Sequence, residues 1–147
     1  MVMSDVTSGK ISIEAPLSKV EAILFDIAQY PTWSSAIRSV TILQKDEMGR
    51  PISATLAIDA GMMKDRVTLD YDWSKAPGRL DFSLSDADLL TAMDGAYIFS
   101  ALDADSTEVT YELHVDLSMP IPAMMRRKAE EATINAALEQ LKTFAEK

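Results

Sequence analysis

Apolar and polar residues alternate along most of this chain, and helical spacing replaces the alternation near the start and at the end. The first alternating segment, Lys10–Ala15, predicts a half-buried strand that stops at Pro16. Ser18 then has the position of a helix N-cap, and Glu21 three residues later would complete a capping box. The pattern therefore predicts one strand followed directly by a helix.

This first helix is predicted over Ser18–Ala28, where apolar residues recur at a spacing of three and four. Tyr30-Pro31 is expected to end it, because the residue before a proline avoids the α conformation. A second short helix or a turn is expected over Trp33–Ala36.

A long region follows in which six segments have the period of two that is typical of strands. Turns rich in glycine, proline or aspartate separate most of these segments, which predicts an antiparallel meander. The segments are Ile37–Lys45, Pro51–Ala60, Lys64–Trp73, Arg79–Ser85, Gly95–Leu102 and Thr107–Leu117. The stretch Asp86–Asp94 between two of them fits either a helical turn or the start of a strand.

The C-terminal segment predicts one long helix over Ala123–Phe144, with no proline or glycine inside it. The chain of 147 residues has no repeat or low-complexity linker and is expected to be a single domain over residues 1–147, with residues 1–8 flexible. The predicted fold class is α+β. In the predicted fold, a curved seven-stranded antiparallel sheet is expected to wrap around the long C-terminal helix, and two short helices are expected after the first strand.

One face of this predicted sheet is apolar and has to be covered. In the last strand Val109, Tyr111 and Leu113 share that face, and the alternating polar residues share the other. A helix of about 22 residues is roughly 33 Å long and 10 Å wide, so it can close the concave side of the sheet without filling it. An apolar cavity and a solid core of large side chains both stay open on this geometry.

Composition narrows the range of partners. The 14 cationic and 23 acidic residues give a net charge of −9, which disfavours nucleic acid and anionic membrane surfaces. The absence of cysteine excludes disulfides and thiolate chemistry and fits a cytoplasmic location. His114 is the one histidine, so no metal site and no cofactor is expected. Neither a signal peptide nor a membrane-spanning segment is expected.

Several local motifs occur in an order that is informative about the fold. They are Ala15-Pro16, Tyr30-Pro31-Thr32-Trp33, Gly95-Ala96-Tyr97-Ile98-Phe99, Thr107-Glu108-Val109-Thr110-Tyr111-Glu112-Leu113, and Pro120-Ile121-Pro122 before the last helix. With the order of elements, they resemble the START-like (SRPBCC) superfamily, and most closely its polyketide cyclase/dehydrase and lipid-transport family. The resemblance covers Ser8 to Phe144 and implies the helix-grip fold with a deep apolar pocket between the sheet and the last helix. Members bind lipids, sterols, polyketides, quinones or plant hormones, and some are aromatic-polyketide cyclases.

Nine residues are the candidates for contact with a ligand in such a pocket: Trp33, Arg38, Tyr71, Trp73, Phe82, Tyr97, Phe99, Tyr111 and Met124. The tyrosines offer hydroxyls that can orient a polar ligand atom. Arg38 shares the parity of Val40 and Ile42, which look like core positions. If the strand already includes Arg38, its side chain points inward and can hold an anionic group at the rim, and if the strand begins later, Arg38 lies on the surface. No catalytic residue is assigned, because the strand carboxylates, Asp59 among them, fall on the polar face.

These residues favour binding or carriage of a small hydrophobic molecule, lipid-, polyketide- or quinone-like, without covalent chemistry. Two alternatives stay open: a polyketide cyclase or dehydratase that uses cavity tyrosines and Arg38, and a protein-interaction module with a filled core. Ligand exchange is expected to open the Met62–Lys64 or the Asp86–Asp94 segment. No integral membrane association is expected, and the chain is expected to be a monomer or a weak homodimer.

Overall fold

A computed structural model describes residues 6–59, 64–119 and 121–147 of the chain. The strands are β1 (Thr7–Ile13), β2 (Ile37–Lys45), β3 (Pro51–Asp59), β4 (Lys64–Asp72), β5 (Arg79–Ala87), β6 (Leu90–Asp103) and β7 (Ser106–Leu117). The helices are α1 (Leu17–Phe25), a 3-10 helix (Ile27–Thr32) and α2 (Ala123–Ala145). Within the described ranges, no helix is long and apolar enough to cross a membrane.

All seven strands belong to one antiparallel sheet with the order β1-β7-β6-β5-β4-β3-β2. From β2 to β7 each strand pairs with its neighbour in the chain, and β1 closes one edge by pairing with β7. Helix α2 covers the apolar face of the sheet. The predicted α+β class, with a curved seven-stranded sheet and a long C-terminal helix, is therefore confirmed.

The start of the chain differs from the prediction in two respects. Thr7 and Ser8, expected in a flexible terminus, pair with Leu113 and Glu112 at the start of β1. Helix α1 has Pro16 at its N-cap and no capping bond from a side chain, so the capping box expected at Ser18 and Glu21 is wrong. Pro16 itself is extended, with φ −65° and ψ 152°, and its carbonyl accepts the first hydrogen bonds of the helix, from the Lys19 and Val20 amides.

The segment after α1 also differs from the prediction. Helix α1 ends at Phe25, and a 3-10 helix that contains Pro31 follows where the sequence predicted that α1 continues. The Tyr30 hydroxyl donates to the Leu24 carbonyl, and the Tyr30 carbonyl accepts from the Trp33 and Ser34 amides. The Tyr30-Pro31 dipeptide therefore lies inside a tight turn held by its own hydrogen bonds, and a turn rather than a helix covers residues 33–36.

The undecided stretch Asp86–Asp94 is strand with a short turn. Strand β5 continues to Ala87 and β6 begins at Leu90. The Asp65 carboxylate at the start of β4 accepts hydrogen bonds from the amides of Asp88, Leu89 and Leu90 at 3.2, 3.0 and 2.8 Å. A single side chain from the neighbouring strand thus accepts hydrogen bonds from three amides of the turn. The sequence pattern within Asp86–Asp94 does not predict this interaction.

Helix α2 packs its buried side against β1 and β7. Its buried positions recur at helical spacing and are Glu130, Ile134, Leu138, Leu141 and Ala145. Gly9 of β1 allows the closest approach, since a Cβ at that position would lie 2.9 Å from Cγ2 of Ile134. The stripe is apolar except for Glu130, whose side chain has no exposed surface.

The Glu130 carboxylate is satisfied by three donors from three elements. Oε1 accepts from the Thr7 hydroxyl at 2.6 Å. Oε2 accepts from the Val115 amide at 2.8 Å and from the Arg126 guanidinium at 3.0 Å. Glu130 thus joins α2 to Thr7 of β1 and, two residues beyond the Thr7–Leu113 pair, to Val115 of β7.

His114 was expected to be exposed on the polar face of the sheet, but its side chain is only 18% exposed. Its Nε2 lies 3.3 Å from the Asp116 carboxylate, and its Nδ1 lies 3.9 Å from Glu130. Helix α2 passes over this end of β7, which parity within the strand alone does not predict. The histidine therefore belongs to the polar cluster around Glu130.

Candidate functional site

An apolar cavity of about 300 Å³ lies between the concave face of the sheet and α2. The sheet supplies Leu56, Ile58, Leu69, Tyr71, Leu80, Phe82, Met93, Tyr97 and Tyr111. Helix α2 supplies Ala132, Thr133, Ala136, Ala137 and Gln140, and the segment before β2 supplies Tyr30, Ser34, Ser35 and Ala36 with Ile37. The space exists because α2 presents short side chains to the sheet over two turns.

The four tyrosines of the chain, which come from four different elements, all line this cavity. Tyr97 and Tyr111 stack with ring centroids 4.3 Å apart and an interplanar angle of 19°. The hydroxyls of Tyr97 and Tyr111 form a hydrogen bond with each other. Because a phenol can accept one bond and donate another, one of the two hydroxyls keeps its proton for a further acceptor.

Burial keeps these phenols neutral. Burial raises the pKa of Tyr30 and Tyr97 well above the ordinary value, and nearby phenols add to the rise. Burial likewise raises the pKa of Tyr71, with a further contribution from Tyr111. Burial raises the pKa of Tyr111 to about 12, although its hydrogen bond with Tyr97 lowers the pKa and partly offsets the effect of burial. At neutral pH the cavity therefore offers hydroxyl donors and no phenolate.

Alkaline titration is expected to show this directly. The folded protein should have almost no tyrosinate absorbance at about pH 10, the ordinary phenol pKa. The unfolded chain loses these protons near that pH and the folded chain does not. The contribution of the tyrosines to the free energy of unfolding is therefore fully present below about pH 10 and is lost as the pH rises through the folded values. Tyrosinate absorbance and near-UV circular dichroism should therefore change in one transition. A tyrosine that titrates normally while the dichroism is unchanged would contradict the buried placement.

The mouth of the cavity lies between α2 and the turn that precedes β2. Its exposed lining residues are Ser35, Ala132 and Ala136. Asp59 also lines the rim and lies 3.5 Å from the Arg38 guanidinium and 4.0 Å from the Lys64 ammonium. Asp59 was expected on the polar face, but at the end of β3 it reaches the edge of the cavity.

Among the nine predicted contact residues, Tyr71, Phe82, Tyr97 and Tyr111 lie on the cavity wall. Three other aromatic candidates are buried elsewhere. Trp73 and Phe99 pack edge-on against Phe25 of α1, at centroid distances of 5.0 and 5.6 Å. Trp33 packs against Tyr30 on the outer side of the 3-10 helix. Trp73 and Phe99, which the sequence assigned to the ligand, therefore contact helix α1 instead.

The other two candidates lie outside the cavity. The side chain of Arg38, expected to point inward, is 68% exposed. The pairing of β2 with β3 shifts between Ile37 and Ser39, which breaks the alternation so that Ile37 faces the cavity instead. Met124 is 71% exposed on the first turn of α2. Met62, expected in a gate, lies outside the described residues.

Sequence reasoning missed the contribution of α2 and of Tyr30. The signal for α2 was available, because Ala132, Ala136 and Ala137 form one face of small residues beside the buried stripe. Tyr30 was assigned only to the end of a helix. Over the residues that the structure describes, no group of three or more histidine, aspartate or glutamate side chains is placed to hold a metal ion.

Comparison with known proteins decides the family. A family model described as "Polyketide cyclase / dehydrase and lipid transport" matches residues 13–142, which is most of the chain. The chain belongs to this family. No curated protein matches the chain at significant similarity.

Solved structures agree with the family on the fold. A START superfamily protein from Mycobacterium smegmatis superposes with a TM-score of 0.91 at 22% identity, covering 96% of this chain and 97% of that one. The Zhui aromatase/cyclase from Streptomyces sp. R1128 gives 0.79 at 18% identity, covering 96% and 93%. The protein TTHA0849 from Thermus thermophilus gives 0.71 at 15% identity, covering 95% and 99%. At these identities the similarity establishes the helix-grip fold of the family.

Proposed function

We propose that this member of the family binds one small, uncharged hydrophobic molecule in the cavity and does not change it covalently. The observation that carries the proposal is the cavity itself, with its apolar wall and four neutral phenols. An enclosed apolar space of about 150 Å³ can hold one benzene ring, so the cavity suits a ligand of about two fused rings. The alternative of a protein-interaction module with a filled core is disfavoured, because the space between the sheet and α2 is not filled by side chains.

The same cavity wall disfavours a charged ligand. Among the described lining residues only Asp59 carries a charge at neutral pH, and it lies at the rim. A carboxylate drawn into the cavity would lose its hydration without gaining a cationic partner. A neutral carbonyl can instead accept a hydrogen bond from a tyrosine hydroxyl such as that of Tyr111.

The expected affinity follows from the apolar surface that a two-ring ligand would bury. Roughly 300 Å² of such surface contributes about 7 kcal/mol, before the entropy cost of binding. We therefore expect prodan, a neutral naphthyl ketone whose fluorescence shifts in apolar surroundings, to bind with a dissociation constant in the micromolar range. Methyl naphthyl ketone should displace prodan, whereas naphthoate, which has the same rings and a carboxylate, should displace it at least tenfold less well.

A cavity-filling variant tests where the probe binds. Ala136→Trp puts an indole into the mouth and should weaken prodan binding by at least tenfold. Glu139→Trp adds the same indole on α2 outside the lining residues and should leave binding within about twofold. Equal binding by the wild type and Ala136→Trp, or displacement by naphthoate as efficient as by the ketone, would refute the proposed site.

A cyclase or dehydratase is the second candidate, favoured by the paired phenols of Tyr97 and Tyr111. With raised pKa values these phenols can donate a proton or a hydrogen bond, but they cannot act as bases at neutral pH. Turnover of a model poly-β-keto substrate that is lost in Tyr111→Phe, with substrate binding retained, would support the enzyme over the carrier. Arg38 has no role in this scheme, since it is exposed beside Asp59.

A further inference from the structure

Helix α2 is tied to the sheet along its β1 and β7 side. Near its start Glu130 accepts from Thr7 of β1 at 2.6 Å. Near its end the Lys142 ammonium donates to the Ser12 carbonyl at 3.0 Å, and the Glu146 carboxylate accepts from the Glu14 amide at 2.8 Å. Between these points Ile134 and Leu138 pack over Gly9. We refer to this side of α2, which is attached to β1 and β7, as its fixed side.

Across the mouth of the cavity, the hydrogen bonds that the described residues make between α2 and the turn before β2 come from one side chain of the helix, that of Gln140. The amide group of Gln140 makes two hydrogen bonds to Ser35, in the turn before β2. Its Oε1 accepts from the Ser35 amide at 2.9 Å, and its Nε2 donates to the Ser35 hydroxyl at 2.8 Å. Both residues line the cavity, and the bonds between them are exposed to solvent. We refer to this pair of bonds as the Gln140–Ser35 clasp.

The turn on the other side of the clasp is itself fixed to the sheet. The Asp59 amide of β3 donates to the Ala36 carbonyl at 2.7 Å, and the Ser34 amide donates to the Tyr30 carbonyl at 2.8 Å. The remaining residues of α2 along the cavity are small, with Ala132, Ala136 and Ala137 among them. A small tilt of α2 about its β1 side would therefore widen the mouth once the clasp breaks.

We propose that the Gln140–Ser35 clasp is the gate through which the ligand of the proposed function exchanges. Water can replace both bonds, so opening costs little. The fixed side of α2 also has two exposed hydrogen bonds, those of Lys142 and Glu146, but it is held in addition by the buried Glu130 carboxylate and by the packing of Ile134 and Leu138 over Gly9. The turn between β5 and β6 is a poorer gate, because the Asp65 carboxylate accepts from three of its amides. The gate sets the rate of exchange in both directions, so a weaker clasp should speed up association and dissociation alike.

Stopped-flow fluorescence with prodan tests the gate. Gln140→Leu keeps the bulk of the side chain and removes both hydrogen bonds. We expect the association and dissociation rate constants to rise together by about fivefold. Ser35→Ala, which removes only the hydroxyl, should give a smaller rise in both rates. Gln44→Leu, the same change at an exposed position of β2 away from the cavity, should change neither.

The outcomes separate the gate from the proposed function. No prodan uptake by the wild-type protein overturns both. Uptake with unchanged rates in Gln140→Leu overturns the gate alone, and so does a change in affinity with an unchanged association rate, which would make Gln140 a ligand contact. A readout without ligand is hydrogen exchange at the Ser35 amide, which should be faster in Gln140→Leu than in Gln44→Leu. Equal exchange in the two variants counts against the clasp.

Discussion

Replacing Glu130 by alanine is expected to lower the free energy of unfolding by about 3 kcal/mol. The change removes the acceptor of three donors, the Thr7 hydroxyl, the Val115 amide and the Arg126 guanidinium, at a position with no exposed surface. It also opens space beneath α2. Urea unfolding should show the loss as a lower midpoint, and the melting temperature should fall by about 10 °C.

The neighbouring carboxylate provides the matched control for this variant. Glu131 is exposed, so Glu131→Ala removes the same group from the same helix turn without removing a buried acceptor. Its effect should stay within about 0.5 kcal/mol. If Glu130→Ala costs no more than Glu131→Ala, the carboxylate does not hold α2 to β1 and β7, and the fixed side of the helix has to be explained by apolar packing alone.

The second large effect is expected at Gly95, where alanine should cost about 3 kcal/mol. A Cβ at this position would overlap the Glu112 carbonyl oxygen of the paired strand and would lie 2.7 Å from Cζ of Phe82. The Glu112 carbonyl is backbone and cannot move freely, whereas the Phe82 ring can move only by shifting into the cavity that it lines. Besides the loss in unfolding free energy, Gly95→Ala should weaken prodan binding, because Phe82 must shift.

Gly49→Ala is the control for Gly95→Ala, because it tests the cost of an unfavourable backbone conformation without any steric overlap of the new methyl group. Gly49 has a φ of 81°, and a Cβ there would have no neighbour within 4 Å. Its replacement should therefore cost only the strain of the left-handed conformation, about 1 kcal/mol, and leave prodan binding unchanged. A cost at Gly95 no greater than that at Gly49 would show that β6 and β7 relax to accept the methyl group.

The sheet was predictable from local patterns, because strand faces follow from alternation. Val109, Tyr111 and Leu113 are buried as their parity required, and β2 has the predicted bounds Ile37–Lys45. The helical region before it was not predictable in the same way. Tertiary bonds, such as that from the Tyr30 hydroxyl to the Leu24 carbonyl, decide where α1 gives way to the 3-10 helix.

The cavity residues show where parity stops being informative. Alternation places Trp73 and Tyr71 on the same face, but only the packing of Phe25 shows that Trp73 meets α1 while Tyr71 meets open space. Arg38 was assigned inward because alternation was assumed to continue through the first residues of β2. The shift in pairing after Ile37 is a property of two strands together, which one strand cannot reveal.

Glu130 is the residue whose role the sequence could have indicated. The helical spacing of Ile134, Leu138 and Leu141 extends back to position 130, which places a carboxylate on the buried stripe of α2. A charged residue on such a stripe requires donors, and Arg126 one turn earlier is an evident one. Its partners in β1 and β7 depend on where β1 begins, which is visible only in the fold.

A crystal structure of the protein grown with methyl naphthyl ketone is the most direct test of the uncharged-ligand cavity. The account predicts the fused rings inside the cavity against Tyr97 and Tyr111, with the ketone oxygen within hydrogen-bond distance of a tyrosine hydroxyl. Electron density that shows α2 packed onto the sheet, with the space closed by the protein's own side chains and no ketone bound, would contradict it.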